Sequence, residues 1–285
     1  MKVIAVSQKS KILLIATLVV VLLLVGGCYA RRLLYGVAQG VTVEGYEVGR
    51  YLPEEVRQLV THLAIERNRP AIDPRLANDG NIIQETPGLA VDVEQSIIGI
   101  LEAPKDATVP LIIRRLQPDI TASLLKSLDT TLGKFNTFIS GSENRLKNIT
   151  IAAGKLNYTL VNPRTLFSIN EAIGPRTTVQ GYKPAPVIIG EGHGLDAGGG
   201  VCQVSSTLYN AVMTANLKIV ERHPHSKRVY YVPPGKDAAI SWPGLDFKFY
   251  NSLNNPVIIR TSVAGRVLTI WLLGKKDQES KKGGE

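Results

Sequence analysis

The run "ILLIATLVVVLLLVGG", Ile12 to Gly27, carries no charge at all. Such a segment cannot be left in water, so it enters a bilayer or is removed. With Cys28 to Ala30 it approaches the ~20 residues that a helix needs to cross a membrane. Lys2, Lys9 and Lys11 precede it, and Arg31 and Arg32 follow it. Residues 1–11 are expected as a cytoplasmic basic segment and residues 12–30 as an uncleaved signal-anchor. The alternative is a lipoprotein signal, because "VGGC" sets small residues before Cys28, which would then be lipidated. Either way the expectation is the cell membrane, single-pass or lipid-anchored, with the main domains outside the cell.

That compartment gives the cysteines their meaning. The chain has two, and Cys28 belongs to the anchor. Cys202 is therefore the single thiol of the exported part, with no intrachain partner for a disulfide. It is either a buried small hydrophobe or a reactive group. A net charge of +9 favours anionic partners. Outside the cell these are peptidoglycan or another anionic wall polymer, and no lysine or arginine run with interleaved aromatics points to nucleic acid.

The expected fold class is α+β: an N-terminal membrane anchor, a small α+β module, then a mixed α+β domain with antiparallel strands. Pro53 starts a helix in which Val56, Leu59, Val60 and Leu63 recur at helical spacing. Residues 71–84 read as two strands about the "NDGN" turn, a second helix begins near Val93, and "TVPLIIRRL" reads as a closing strand. His62 falls on the polar side of its helix. These form a module over 37–127, with a polar linker at 128–143 broken at Gly141-Ser142. Residues 144–274 then give a short helix over "ENRLKNITIAAGKL", strands around "LNYTLVNPRTLFSIN", and a glycine-rich loop. A helix from Val201 follows, and strands fill the remainder. The last of these form hairpins about "NN" and "AG", and a polar tail, 275–285, is expected to be disordered.

The blocks "NPRTLFSIN", "IGPRT", "GGGVCQVSSTLYNAV", "IVERHPHS", "YVPPGKDA" and "DFKFYN" follow one another in an order that closely resembles the VanW family, from about 144 to 274. The preceding module, with "VTVEGYEVG", "PEEV", "DVE" and "PDIT", is similar to the peptidoglycan-binding domain that often precedes VanW domains. One departure stands out. Where the family carries a glycine-bearing "NG…PGE", this chain has "LNYTLVNPRT", with Tyr158 and Arg164 in those slots, which leaves the turn geometry open. The resemblance implies a cell-envelope protein of a family named for a vancomycin-resistance cluster. It implies no particular reaction.

The chemistry concentrates at "GLDAGGGVCQV". Glycines before a helix let backbone approach a ligand closely. The first helical turn leaves amide hydrogens unpaired beside a partial positive charge, which lowers the pKa of a cysteine placed there. Cys202 is thus a candidate nucleophile, with Gly199, Gly200 and Gln203 lining an oxyanion or ligand site. His223 and His225 follow on "ERHPHSKRV". If the next hairpin turns at "PPGK" near Gly235, Asp246 lies opposite His225 as its orienting acid, and Asp237 falls inside the turn as a capping residue. Arg176 and Arg222 could each grip a carboxylate or pair with Glu171 or Glu221. Ser205 to Thr207 sit one turn further in, at positions suited to packing or capping. A zinc site from His193, His223, His225 and Cys202 lacks a close second ligand pair, so no metal and no cofactor is expected.

Two functions remain open on the sequence. One is a cysteine-dependent amidase, peptidase or acyl transferase acting on peptidoglycan through Cys202, His225 and Asp246. The other is a non-catalytic module that binds stem peptides or glycan.

Overall fold

The computed structural model describes residues 8–189 and 192–275. The chain divides into two compact units, residues 1–72 with 86–119 and residues 73–85 with 120–285. The polar tail from residue 276 and the first seven residues of the basic segment lie outside the described residues.

The first unit begins with α1 (Gln8–Tyr35). Within it Ala16–Tyr35 has mean hydropathy 1.8 and no buried residue, so this helix is long and apolar enough to cross a membrane. An uncleaved anchor and a signal sequence would both look like this. Past it lie β1 (Thr42–Val43), β2 (Tyr46–Glu47) and α2 (Pro53–Arg67). Pro53 stands at the start of α2, where a missing N–H costs nothing, and Glu55 accepts the Leu52 amide at 2.8 Å. The pair β3 (Arg75–Leu76) and β4 (Ile82–Ile83) forms the expected hairpin about the Asn78–Asn81 turn but belongs to the second unit. The first unit resumes with β5 (Gly88–Val91), α3 (Val93–Leu101), β6 (Thr108–Val109) and β7 (Ile113–Leu116). The stretch expected as one closing strand is thus two. Strand β6 runs parallel to β1, and β7 runs antiparallel to β5. Asp92 caps α3 by accepting the Gln95 amide. The apolar stripe of α2 (Val56, Val60 and Leu63) packs with Ile97, Ile100 and the β1 valine Val43. His62 is exposed on α2, beside Glu66.

The second unit continues with α4 (Ala122–Lys126), β8 (Thr130–Phe138), α5 (Glu143–Leu156), β9 (Thr159–Val161), β10 (Leu166–Ser168) and α6 (Ile169–Ile173). After these come β11 (Pro184–Ile189), β12 (Gly192–Ala197), α7 (Val201–Thr214), β13 (Lys218–Glu221), β14 (Lys248–Tyr250), β15 (Val257–Ala264) and β16 (Val267–Gly274). An antiparallel sheet of order β8-β16-β15-β9 and a smaller one of order β10-β14-β13 flank α7, and β11 pairs with β12.

Two expectations change. Residues 128–143 are no linker: β8 pairs with β16 along its whole length, from Thr130–Gly274 to Phe138–Val267. Its threonines and Gly133 disguise it, yet Gly133 and Thr137 are the buried positions that let α7 lie close. A Cβ on Gly133 would stand 2.2 Å from the Ala211 carbonyl oxygen. The segment after β13 is not a run of strands either; a single antiparallel bridge joins His223 to Ala239. Tyr158 and Arg164, in place of the family's glycines, still adopt φ of +61° and +58°. The turn geometry is kept at a steric cost that glycine would not incur.

Helix α7 is the central element, with Val204, Leu208, Ala211 and Val212 fully buried. Most of its buried polar residues are hydrogen-bonded, but Ser205 Oγ is buried without a partner. Thr207 bonds back to the Gln203 carbonyl at 2.7 Å, and Ser206 accepts the Ala238 amide at 2.9 Å. Ser205 and its neighbours therefore serve packing, as their depth in the helix implied.

A Gly133→Ala change is expected to destabilise the second unit by about 1–3 kcal/mol through this backbone clash. Urea unfolding followed by tryptophan fluorescence measures it. An unchanged midpoint would mean that β8 does not pack against α7.

Candidate active site

Three glycines seat the start of α7. Gly198 and Gly200 have φ of +89° and +105°, which only glycine adopts without strain. Gly199 needs its lack of a side chain for another reason: a Cβ there would meet the Ala185 carbonyl oxygen at 2.4 Å. The loop thereby presses against β11 and delivers Cys202 to the second position of the helix. The amides of Val201 and Gln203 donate to Gly198 and Gly200 carbonyls at 3.0 and 2.9 Å.

Cys202 opens onto a cleft of about 490 Å³ that is also lined by Arg145, Arg176, His225, Tyr231 and Trp242. Its sulfur lies 3.4 Å from the Ile240 carbonyl oxygen, and the His225 ring lines the same cleft and acts on its charge. The other side of that ring is held firmly. His225 Nδ1 donates to Asp237 Oδ2 at 2.7 Å, and the same oxygen accepts the His225 backbone amide at 2.7 Å. Nε2 meets the Tyr231 hydroxyl at 3.4 Å. Arg222 completes the line. Its Nη2 donates to Asp237 Oδ1 at 2.8 Å and its Nε to the Asp237 carbonyl at 2.6 Å.

The charges follow from this arrangement. Burial alone would push the Cys202 thiol up, but the His225 ring, the backbone at Ile240 and the positive charges of His225 and Arg176 hold it below the ordinary thiol value. Burial alone would lower His225, yet Cys202 and Asp237 raise it. Asp237 is held low against its own burial by its hydrogen bonds from His225. Both shifts run toward thiolate and imidazolium, the state that a cysteine nucleophile needs. Burial raises the Tyr231 phenol, which remains a neutral hydroxyl.

The expected residues divide clearly. Gly199, Gly200, Cys202 and His225 meet at the cleft or build its wall. Asp246 does not meet His225. Its Oδ2 accepts the Ser168 hydroxyl at 2.5 Å and its Oδ1 the Asn170 amide at 3.0 Å, so it ties down the start of α6. The error lay in the pairing register. The His223–Ala239 bridge centres the antiparallel stretch near Tyr231, and two residues inward on each side it brings His225 against Asp237. His223 is not among the residues lining the cleft and bonds Glu221 Oε1 at 2.9 Å. Gln203 reaches the cleft wall but its amide is fully engaged. Nε2 donates to Thr137 Oγ1 and the Phe138 carbonyl at 3.0 and 2.9 Å, and Oε1 accepts from Arg145 at 2.7 Å. It positions Arg145 and has no proton left for an oxyanion. Arg176 lines the cleft and pairs with Asn170, not Glu171. Arg222 pairs with Asp237, not Glu221. Among the described residues no histidine–cysteine–carboxylate cluster fit to hold a metal occurs.

Asp237, Tyr231 and Arg145 were not anticipated. Arg145 sits one residue inside the N-terminal turn of α5, 58 positions from Gln203, and nothing local marks it.

Comparison with known proteins agrees with this core. The family model described as "VanW like protein" matches residues 144–273. Residues 144–273 are thus similar to the VanW family. It is 40% identical over 173 residues to the Bacillus subtilis (strain 168) protein described as "Uncharacterized protein YoaR", covering 60% of this chain and 56% of that one. It is 29% identical over 135 residues to the "Vancomycin B-type resistance protein VanW" of Enterococcus faecalis (strain ATCC 700802 / V583), covering 45% of this chain and 49% of the relative. The chain thus spans about half the length of these curated relatives. No solved structure matches the chain.

The thiolate state predicts a pH profile. Because the Cys202 pKa is lowered, iodoacetamide should alkylate it at a lower pH than free cysteine. His225→Ala removes the imidazolium and leaves burial to dominate, so the profile should move to higher pH. Asp237→Asn should move it the same way by less. Asp246→Asn should lower the melting temperature and leave the profile in place. Peptide mass mapping separates Cys202 from Cys28. A Cys202 profile that coincides with that of free cysteine would disprove the pairing.

Proposed function

We propose that the chain is a membrane-tethered cell-envelope enzyme that breaks and remakes acyl bonds of peptidoglycan stem peptides, with Cys202 as nucleophile, His225 as acid and base, and Asp237 as the residue that orients it. The observation that carries the proposal is the Asp237–His225 hydrogen bond at a cleft that Cys202 and His225 both line. The extracytoplasmic setting is supported by the apolar helix at the N-terminus and the basic composition. The wall as target is supported by the likeness to a protein described as a vancomycin resistance protein. In this reading the first unit, 37–127 in the sequence expectation, holds the wall polymer.

The chemistry is acyl transfer in two halves. The Cys202 sulfur adds to the carbonyl carbon of a peptide bond. The C–N bond then breaks, and the leaving amine takes the proton held on His225 Nε2. This leaves a thioester on Cys202 and a neutral imidazole. Water or a second amine gives its proton to His225 as it attacks the thioester carbon, and the C–S bond breaks to restore the thiolate. The developing oxyanion is met by the Cys202 amide in the first turn of α7, where helix geometry leaves donors free. Asp237 keeps the Nδ1–H tautomer in place through both halves, and Arg222 keeps Asp237 ionised.

Incubating the purified chain with soluble peptidoglycan fragments and following the products by mass spectrometry tests this. Cys202→Ala should lower turnover by at least about a thousandfold, and an acyl adduct should map to Cys202 in the unaltered chain. Full turnover by Cys202→Ala would refute the enzyme reading. Retention of fragments by Cys202→Ala, with no turnover by either form, would favour a wall-binding module instead.

A further inference from the structure

Arg145 and Arg176 both line the Cys202 cleft, and the partners of both are neutral. Arg145 donates to the Gln203 amide oxygen at 2.7 Å and lies over the Tyr231 ring, 5.9 Å from its centre. Arg176 donates from Nη2 to Asn170 Oδ1 at 2.7 Å and lies 6.0 Å from the Trp242 ring centre. Among the described residues neither forms an ion pair. The acid nearest in the lining is Asp196, and its Oδ1 accepts the Ala197 amide at 2.7 Å. Withdrawing a guanidinium from water is costly, and the charges of Cys202 on both arginines and of Asp246 on Arg176 offset only part of it. Burial accordingly pulls both arginines below their ordinary pKa, though neither loses its charge.

The second observation is the orientation of Arg176. The Asn170 amide cannot turn, since its Nδ2 donates to the Ser241 and Leu245 carbonyls, both at 3.0 Å. Its oxygen therefore always presents to Arg176 Nη2. Nη1 of the same guanidinium is buried and has no hydrogen-bond partner. A Cβ on Gly198 would stand 2.7 Å from Arg176 Cβ, so the loop that seats Cys202 also packs this arginine. One edge of the fork is fixed, and Nη1 is left without a partner.

The geometry points to a carboxylate-binding subsite beside Cys202, made by Nη1 of Arg176 with Arg145 as the second cation, so that the acyl substrate of this cleft carries a free carboxylate close to the carbonyl under attack. This deepens the reading of Cys202 as nucleophile and rests on it. Stabilising the thiolate alone would need the positive charge but not a buried, unpartnered N–H. A planar fork held on one side is the geometry that selects a carboxylate.

Two measurements on the full chain test the subsite separately from the nucleophile. The first is the ratio of iodoacetate to iodoacetamide alkylation rates at Cys202. Both reagents meet the same thiolate, so its reactivity cancels and only the carboxylate differs. The ratio should exceed that of glutathione by about tenfold, as expected for one charge-assisted hydrogen bond. It should fall to the glutathione value in Arg176→Gln and be partly restored in Arg176→Lys. The second measurement does not use the thiol. In Cys202→Ser with Trp271→Phe, Trp242 is the remaining tryptophan, because the chain has two. N-acetylglycine should change its fluorescence saturably, and N-acetylglycinamide should not. A ratio equal to that of glutathione together with a flat or equal response to the two glycine derivatives would overturn the subsite, even where iodoacetamide shows an activated thiol. A Cys202 inert to both reagents would overturn the nucleophile, and the fluorescence titration would then decide the subsite by itself.

Discussion

Everything at this site depends on how closely residues 198–200 approach their neighbours. Side chains there would collide with the Ala185 carbonyl, the Arg176 stem and the Arg145 stem. Glycine loses more conformational freedom on folding than other residues, so a run of three is unfavourable for the chain as such. What offsets it is position. The first turn of α7 is brought between two arginine side chains and against β11, and the helix behind it is locked into the core by Val204, Leu208 and Ala211. Cys202 thereby stands on a rigid element, and the cleft forms beside it.

From that turn the charges run in alternation: Arg222, Asp237, His225, Cys202. Each member is stabilised by the next, and each would be unfavourable in the same place alone. The Asp237 carboxylate receives the His225 backbone amide, the His225 ring and Arg222. It therefore stays ionised although burial acts against it. Arg222 in turn lies 5.5 Å over the Tyr209 ring, on α7 itself. The helix that carries the thiol thus also carries the support for the far end of the line.

Much of this was legible before the structure. The apolar N-terminus, the helix from Val201, the family blocks and the choice of Cys202 and His225 followed from periodicity, charge and glycine placement. The failures have one physical source, which is pairing between segments distant in sequence. Residues 128–143 looked like a linker because Thr130, Thr131, Gly133 and Asn136 are polar or small, yet Gly133 and Thr137 are the buried positions that let α7 approach. Asp246 was chosen over Asp237 because "PPGK" resembled a hairpin turn, and a shift of the pairing centre by four residues exchanges one acid for the other. Arg145 had no local signature at all.

Asp246 shows why such a substitution of roles is not a detail. It is as buried as Asp237 and as close to a histidine-bearing segment, yet its oxygens are taken by Ser168, Asn170 and the Phe247 amide at 2.5, 3.0 and 2.8 Å. It holds the turn into α6, and through Asn170 it steadies the amide that fixes Arg176. One carboxylate therefore holds His225, and the other holds the turn whose Asn170 receives Arg176. Two acids that look interchangeable in the sequence support opposite walls of one cleft. The difference between them is set by hydrogen-bond partners 76 and 12 residues away, and no local pattern encodes that distance.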